Sequence, residues 1–244
     1  MNKYNGLIIS LIAGASTIIG FFSIYIKGNK DKTISRTLSF AGGVMIMLSI
    51  IDLIPSSILN LSKSNNYSFA ILYTIIFFVI GFTSSYFIQN FVHEKEELSK
   101  TGIISMIGII LHNIPEGIAT YMLSSIDLRL GILFSIAIIM HNIPEGVGIS
   151  IPIYYGTGNK KKAFMYTLIS GISEPFGAII SMLFLHKYIS EYFMGIIYAV
   201  IAGIMIYIGY FELIKTAKKQ KNYVNYFTLI GALFILVVEI ILKL

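Results

Sequence analysis

Residues 109–117 read Ile-Ile-Leu-His-Asn-Ile-Pro-Glu-Gly, and residues 138–146 read Ile-Ile-Met-His-Asn-Ile-Pro-Glu-Gly. The last six residues of the two stretches are identical, and both copies lie inside long apolar segments. An ionisable side chain near the centre of a bilayer costs roughly 3 kcal/mol by insertion scales. Two histidines and two glutamates at such depth need a compensating partner, and a metal cation suits both side chains.

The composition indicates a membrane protein. Hydrophobic residues make up 56% of the 244 residues and charged residues only 12%, about half the charged fraction of a soluble domain. Apolar runs of about 20 residues predict an all-α polytopic protein with eight transmembrane helices. The connections are short, so residues 1–244 are expected to form a single transmembrane domain. The predicted spans are 6–26, 34–60, 67–92, 101–125, 128–154, 162–185, 189–214 and 224–243.

Two features of the chain exclude simpler classes. The first span could be read as a signal peptide, but it lacks a strongly basic segment before it, and we expect it to be retained. The chain contains no Cys, which removes disulfides and thiolate metal ligands.

The basic residues predict the orientation. Thirteen Lys and Arg residues fall in the connections after spans 1, 3, 5 and 7, and five fall on the opposite side. The positive-inside rule then places both termini outside the cytoplasm. We expect a multi-pass protein of the plasma membrane. Because these residues lie in short loops of a membrane protein, no nucleic-acid partner is expected. The five basic residues on the opposite side are Lys3, Lys63, Arg129, Lys187 and Lys243.

An internal repeat is predicted from weak matches at constant offsets. Residues 11–20 match 168–177, and residues 43–54 match 203–214. The second match pairs Asp52 with Glu212. Paired spans lie five apart and cross in opposite senses, which is typical of the inverted repeats of secondary transporters. The expected arrangement is 3+2+3, with spans 1–3 related to spans 6–8.

Each hexapeptide presents ligand atoms on one face of its helix, because residues three and four apart are neighbours there. Pro115 and Pro144 remove backbone N–H groups and free carbonyls, which membranes tolerate beside polar cavities. The alternative is a pair of kinked helices with polar packing contacts, which does not explain two Glu and two His on facing surfaces. The candidate ligands are His112, Asn113 and Glu116 on span 4 and His141, Asn142 and Glu145 on span 5.

Span 6 contributes a third intramembrane carboxylate, Glu174, followed by Pro175. Its repeat partner is Thr17, so the repeat is broken at this position. A lone Glu could instead pair with a cation, but the apolar stretch of span 6 contains no Lys or Arg. We therefore favour a metal ligand.

These motifs resemble the ZIP (Zrt-, Irt-like) metal transporters, nearest their prokaryotic ZupT-like or GufA-like branch. The resemblance covers essentially the whole chain. It implies a binuclear site, in which His112, Glu116, His141 and Glu145 hold one metal. Asn113, Asn142 and Glu174 would hold the second, and the two motif glutamates would bridge. It also implies a secondary transporter or facilitator that moves divalent metal into the cytoplasm by alternating access.

Ligand chemistry limits the cargo to divalent transition metals, with zinc first and iron, manganese, cobalt and cadmium also suited. No cofactor is expected, and the partners are the metal ions and the lipid bilayer, with a homodimer compatible with the sequence. No enzymatic activity is expected. The alternative is a membrane-embedded metal-dependent hydrolase, but no His-Glu-x-x-His motif occurs.

Two departures from the family concern the ends of the pathway. Relatives often carry a His-rich loop between spans 3 and 4, whereas here it reads His-Glu-Lys-Glu-Glu over 93–97, which favours a solvated charge run over a metal sensor. Span 7 has Phe211 before Glu212, where relatives often have His. Asp52 and Glu212 are predicted at opposite mouths of one route. The alternative is that both are interfacial carboxylates at helix ends.

Overall fold

The chain forms eight long helices. The computed structural model describes residues 4–64, 66–185, 190–220 and 223–243, apart from the side chains of Leu185 and Lys243. Within these ranges there is no strand, and each helix is long and apolar enough to cross a membrane. The prediction of an all-α polytopic protein with eight spans is confirmed. The helices are α1 (Asn5–Tyr25), α2 (Lys30–Ser62), α3 (Tyr67–Phe91), α4 (Glu97–Ile126), α5 (Leu128–Thr157), α6 (Lys160–Phe184), α7 (Glu191–Lys219) and α8 (Val224–Leu242).

Several helices run past the predicted apolar boundaries, because polar residues at their ends cap the backbone. The side chain of Asn29 accepts from the backbone N–H of Lys32, and α2 begins at Lys30 rather than at residue 34. The helix α5 ends at Thr157, and the next residue, Gly158, has a φ of 69° and adopts the left-handed conformation common after helices. The predicted start of span 7 at residue 189, and the orientation residues Lys3, Lys187 and Lys221, lie outside the described residues.

Two helices widen into π-helical turns at acidic residues. One turn spans Ser49–Leu53 within α2 and contains Asp52. The other spans Ile208–Ile214 within α7 and contains Glu212. Such turns inside α-helices often occur at functional sites. Both acids therefore lie within continuous helical segments, which differs from the alternative that they terminate helices.

The helices pack as a central group with paired helices beside it. The two motif helices α4 and α5 contact each other, with α1 against α5 and α6 against α4. The helix α2 pairs with α8, and α3 pairs with α7. With eight helices, the start of α1 and the end of α8 lie on one face, here called the terminal face. The opposite face, where the connections after α1, α3, α5 and α7 lie, is called the basic face.

Close backbone contacts occur at positions that the predicted repeat relates. A Cβ built on Gly43 would lie 2.1 Å from the carbonyl oxygen of Thr228, and one on Gly203 would lie 2.1 Å from that of Phe78. Gly43 and Gly203 differ by 160 positions, and Phe78 and Thr228 by 150. Gly81 against Val200 and Gly231 against Phe40 repeat the same two offsets. These contacts support the predicted repeat, including its relation of span 3 to span 8.

Candidate metal centre

The two hexapeptides meet between α4 and α5, with Glu116 at the centre of the contact. Oε1 of Glu116 lies 2.9 Å from Nε2 of His141 and 3.1 Å from Nε2 of His112. The same nitrogen of His112 lies 3.5 Å from Oε1 of Glu145. The structure therefore brings together the four residues predicted to hold the first metal.

The spacing of these donors suits a transition metal. Zinc binds His nitrogen and carboxylate oxygen at about 2.1 Å, so tetrahedral ligand atoms stand about 3.4 Å apart. The observed separations of 2.9 to 3.5 Å bracket that distance. One donor atom each from His112, His141 and Glu145 lie within 4.8 Å of one another.

Several donor atoms of this cluster are buried without a hydrogen-bond partner among the described residues. They include Nδ1 of both histidines, Oε2 of Glu116 and both carboxylate oxygens of Glu145. A buried polar atom left unpaired normally costs about 1–3 kcal/mol. The motif helices contain no Lys or Arg between residues 101 and 128 or between 130 and 157, so no basic side chain within those two stretches compensates the carboxylates.

The two motif asparagines are held by neighbouring helices in the same way. The Nδ2 of Asn113 donates to the carbonyl of Ser170 on α6 at 2.9 Å. The Nδ2 of Asn142 donates to the carbonyl of Ala13 on α1 at 3.1 Å. Only the NH₂ group can donate to a carbonyl, so these contacts fix the side chains and leave both Oδ1 atoms buried and unpaired. The amide oxygen is the atom that a metal would bind.

Glu174 joins this second group of donors. It is completely buried, and its Oε2 accepts from Nδ2 of Asn142 at 2.9 Å. Its Oε1 has no hydrogen-bond partner among the described residues. All seven predicted ligands are buried, and their contacts lie between α4 and α5 or join these helices to α1 and α6.

The glycine of each hexapeptide permits this close packing. A Cβ on Gly117 would lie 1.8 Å from the carbonyl oxygen of Glu174, and one on Gly146 would lie 1.9 Å from that of Thr17. No side chain fits at these distances. The glycines therefore set the separation between the motif helices and the flanking helices α6 and α1, which carry Glu174 and the asparagine acceptors.

A cavity of about 310 Å³ leads from the centre towards the terminal face. Asp52 lies on its wall together with His112, Glu116 and His141, and Oγ of Ser56 donates to Asp52 at 3.4 Å. Asp52 thus shares a cavity with three of the candidate ligands, and its role in a pathway stays a prediction.

Glu212 lies on a separate cavity at the basic face, of about 280 Å³. It is buried, and its Oε2 accepts from Oγ1 of Thr101 at 3.4 Å. Its Oε1 has no hydrogen-bond partner among the described residues. None of the seven predicted ligands lines this cavity, so the structure does not bring Glu212 to the centre.

One acidic residue on the terminal-face cavity was not predicted. Glu239 on α8 lines that cavity with Asp52 and Glu116, and only 7% of its surface is exposed. The signal was present in the sequence, because Glu239 is an acid inside the apolar span 224–243. The rule that singled out Glu174 selects it as well.

The charged stretch at residues 93–97 makes surface ion pairs. Glu94 lies 4.0 Å from Lys162, and Glu97 pairs with Lys219. The Nδ1 of His93 contacts the carbonyl of Phe91, and the ring is exposed. These contacts favour the solvated charge run over a metal-sensing loop.

The structure is that of a polytopic membrane protein with His, Asn and Glu side chains buried at mid-helix. The family model described as ZIP Zinc transporter matches residues 94–239. The chain is 33% identical to the zinc transporter ZupT of Streptococcus mutans, covering 98% of this chain and 97% of the relative. It is 34% identical to that of Oceanobacillus iheyensis, covering 99% and 98%, and 36% identical to that of Campylobacter jejuni, covering 87% of each. This chain belongs to the ZIP family.

Proposed function

We propose that this protein is a secondary transporter or facilitator that carries divalent transition-metal ions, zinc first, across the membrane into the cytoplasm. The main support for this proposal is a set of buried donor atoms that have no hydrogen-bond partner among the described residues. They belong to His112, Glu116, Glu145, Asn113 and Asn142. Such a set is costly in a bilayer unless a cation occupies it. The family assignment and the names of the zinc-transporting relatives support the same cargo.

We propose two adjacent metal positions bridged by Glu116 and Glu145. The imidazole contacts of Glu116 support the first position, and the bond between Asn142 and Glu174 supports the second. A carboxylate can bridge because its two oxygens can bind different ions. Imidazole, carboxylate and amide donors suit Zn²⁺ and its neighbours better than Mg²⁺ or Ca²⁺.

Transport by alternating access is supported by the unequal access from the two faces. The terminal-face cavity reaches the centre, whereas the basic-face cavity has Glu212 on its wall and no central ligand. We assign the terminal face to the outside of the cell, because the opposite connections carry most of the lysines. In this assignment the described conformation receives metal from outside.

A membrane-embedded hydrolase is the weaker proposal. Hydrolysis at a metal needs an open coordination position and a general acid or base beside it. The relatives are named as zinc transporters, which supports transport over hydrolysis. The repeat-related glycine contacts also favour transport, since a catalytic site has no need of two equivalent halves.

The test is zinc flux into proteoliposomes that contain a zinc-sensitive dye. Wild-type protein is expected to carry zinc down its gradient, whereas Glu145→Gln should not. Glu96→Gln is the matched control, because Glu96 is exposed and its side chain makes no capping hydrogen bond. Absence of flux from folded wild-type protein, with metal-dependent turnover of a peptide or phosphoester substrate, would contradict the proposal.

A further inference from the structure

The two cavities are built from equivalent positions of the repeat. The offset of 160 relates Asp52 to Glu212 and Ser56 to Thr216, and the hexapeptide offset of 29 relates Thr101 to Leu130. The offset of 150, given by the glycine contacts, relates Gln89 to Glu239. In each pair, one residue lines the terminal-face cavity and the other lines the basic-face cavity. The terminal-face set is Asp52, Ser56, Leu130 and Glu239, and the basic-face set is Glu212, Thr216, Thr101 and Gln89.

The two mouths differ in charge at one of these pairs. Asp52 and Glu212 are both acids, but Glu239 is an acid where Gln89 is a neutral amide. The basic-face cavity is also lined by two further acids, Glu94 and Glu97, and by Lys95, Lys100 and Lys215, so its three lysines balance its three acids. The terminal-face cavity has three acids on its wall and no Lys or Arg among the described residues that line it. A divalent cation therefore meets a more negative potential at the terminal-face mouth.

The terminal-face cavity also holds ligand atoms that can receive the cation. Oε2 of Glu116 is buried without a hydrogen-bond partner, and Glu116 and His141 line the same cavity as Glu239. Glu239 and Asp52 lie on α8 and α2, whereas these receiving residues lie on α4 and α5. The cavity thus connects carboxylates on the paired outer helices to ligands on the central helices.

We propose that Glu239 is a capture residue for the divalent cation at the terminal-face mouth, and that the neutral Gln89 favours release at the opposite mouth. This inference rests on the proposed metal transport. The charge difference between Glu239 and Gln89 sets the metal concentration needed for half-maximal transport from each face. It cannot set the final distribution of metal across the membrane, because a facilitator only equalises the metal gradient. By Coulomb's law a carboxylate ~8 Å from a divalent ion in a watery cavity changes its occupancy about 6-fold.

The experiment measures zinc flux into vesicles of one orientation, with zinc added to either face. Glu239→Gln should raise the half-maximal zinc concentration at the terminal face about 6-fold. Glu239→Asp keeps the charge and should stay close to wild type, and Glu191→Gln should too, because Glu191 is exposed and pairs with Lys63. Retention by Glu239→Asp separates the loss of charge from a loss of folding.

Gln89→Glu tests the other mouth independently. Oε1 of Gln89 accepts from the hydroxyl of Tyr207, and a carboxylate can accept the same bond. This variant should lower the half-maximal concentration for zinc added at the basic face and leave the terminal-face value unchanged. Wild-type concentration dependence in both Glu239→Gln and Gln89→Glu, alongside normal wild-type flux, would overturn this inference alone. Absence of wild-type flux would overturn the proposed function as well.

Discussion

The packing at Gly146 gives the sharpest prediction. A Cβ at this position would lie 1.9 Å from the carbonyl oxygen of Thr17, whereas an ordinary carbon–oxygen contact is about 3.3 Å. Gly146→Ala must therefore push α1 away from α5 by about 1 Å or more. Because α1 also carries the carbonyl of Ala13 that holds Asn142, the displacement reaches the second metal position.

The expected result is a large loss of transport from a protein that still inserts and folds. Overpacking by one methyl group costs about 1–3 kcal/mol of stability, and a 1 Å misplacement of a working group can cost about 10²-fold in rate. We expect zinc flux in proteoliposomes to fall at least 10-fold, with a lowered melting temperature in detergent.

Gly148→Ala is the matched control on the same helix. The nearest atom to a Cβ at Gly148 is Cδ1 of Leu213 at 3.2 Å, which is the end of a flexible side chain, and the next atoms lie at 3.7 Å or more, in ordinary van der Waals contact. This variant should keep most of its flux and stability. If Gly146→Ala transported zinc like Gly148→Ala, the close approach of α1 and α5 would not position the metal centre, and the reasoning would be refuted.

Four further predictions concern the ligands and the pathway. Glu116→Ala or Glu145→Ala should abolish zinc flux without unfolding the protein, because each removes a shared ligand, and wild-type flux in either would end the binuclear proposal. Asn142→Ala should weaken zinc binding less than the Glu variants, since a neutral donor contributes less charge; calorimetric titration of the folded variants checks the order. Zinc affinity should fall as the pH is lowered from about 7.5 to about 5.5, because protons compete with zinc for the imidazoles. An affinity that does not change over this pH range would count against imidazole ligation. Asp52→Asn should raise the external zinc concentration for half-maximal uptake, with the maximal rate less affected, and an unchanged value would remove Asp52 from the entrance.

Much of the fold and the centre follows from the sequence, because a membrane restricts what the chain can do. Apolar runs must become helices there, and buried acids such as Glu174 then require an explanation in terms of function. The repeated hexapeptide placed His112 and His141 on two neighbouring helices, and the structure brings both to Glu116.

The features that could not be predicted depend on contacts between helices distant in the chain. The orientation of the Asn113 and Asn142 amides is fixed by carbonyls on α6 and α1. The local sequence of α4 and α5 does not show that these carbonyls lie at the same depth in the membrane as the amides. The equivalence of Glu239 and Gln89 in the repeat required the glycine contacts of α3 and α8, because no sequence match between those two helices sets their offset. The presence of Glu239 itself was within reach, since an acid in an apolar span is a functional signal.

The most direct test of the central claim is anomalous X-ray diffraction at the zinc edge from crystals of the metal-loaded protein. Two peaks are predicted between α4 and α5, about 3.5–4 Å apart as in other two-metal sites. One should lie beside His112 and His141, and the other beside Asn142 and Glu174. Zinc peaks only at the surface, from protein that transports zinc in liposomes, would contradict the account.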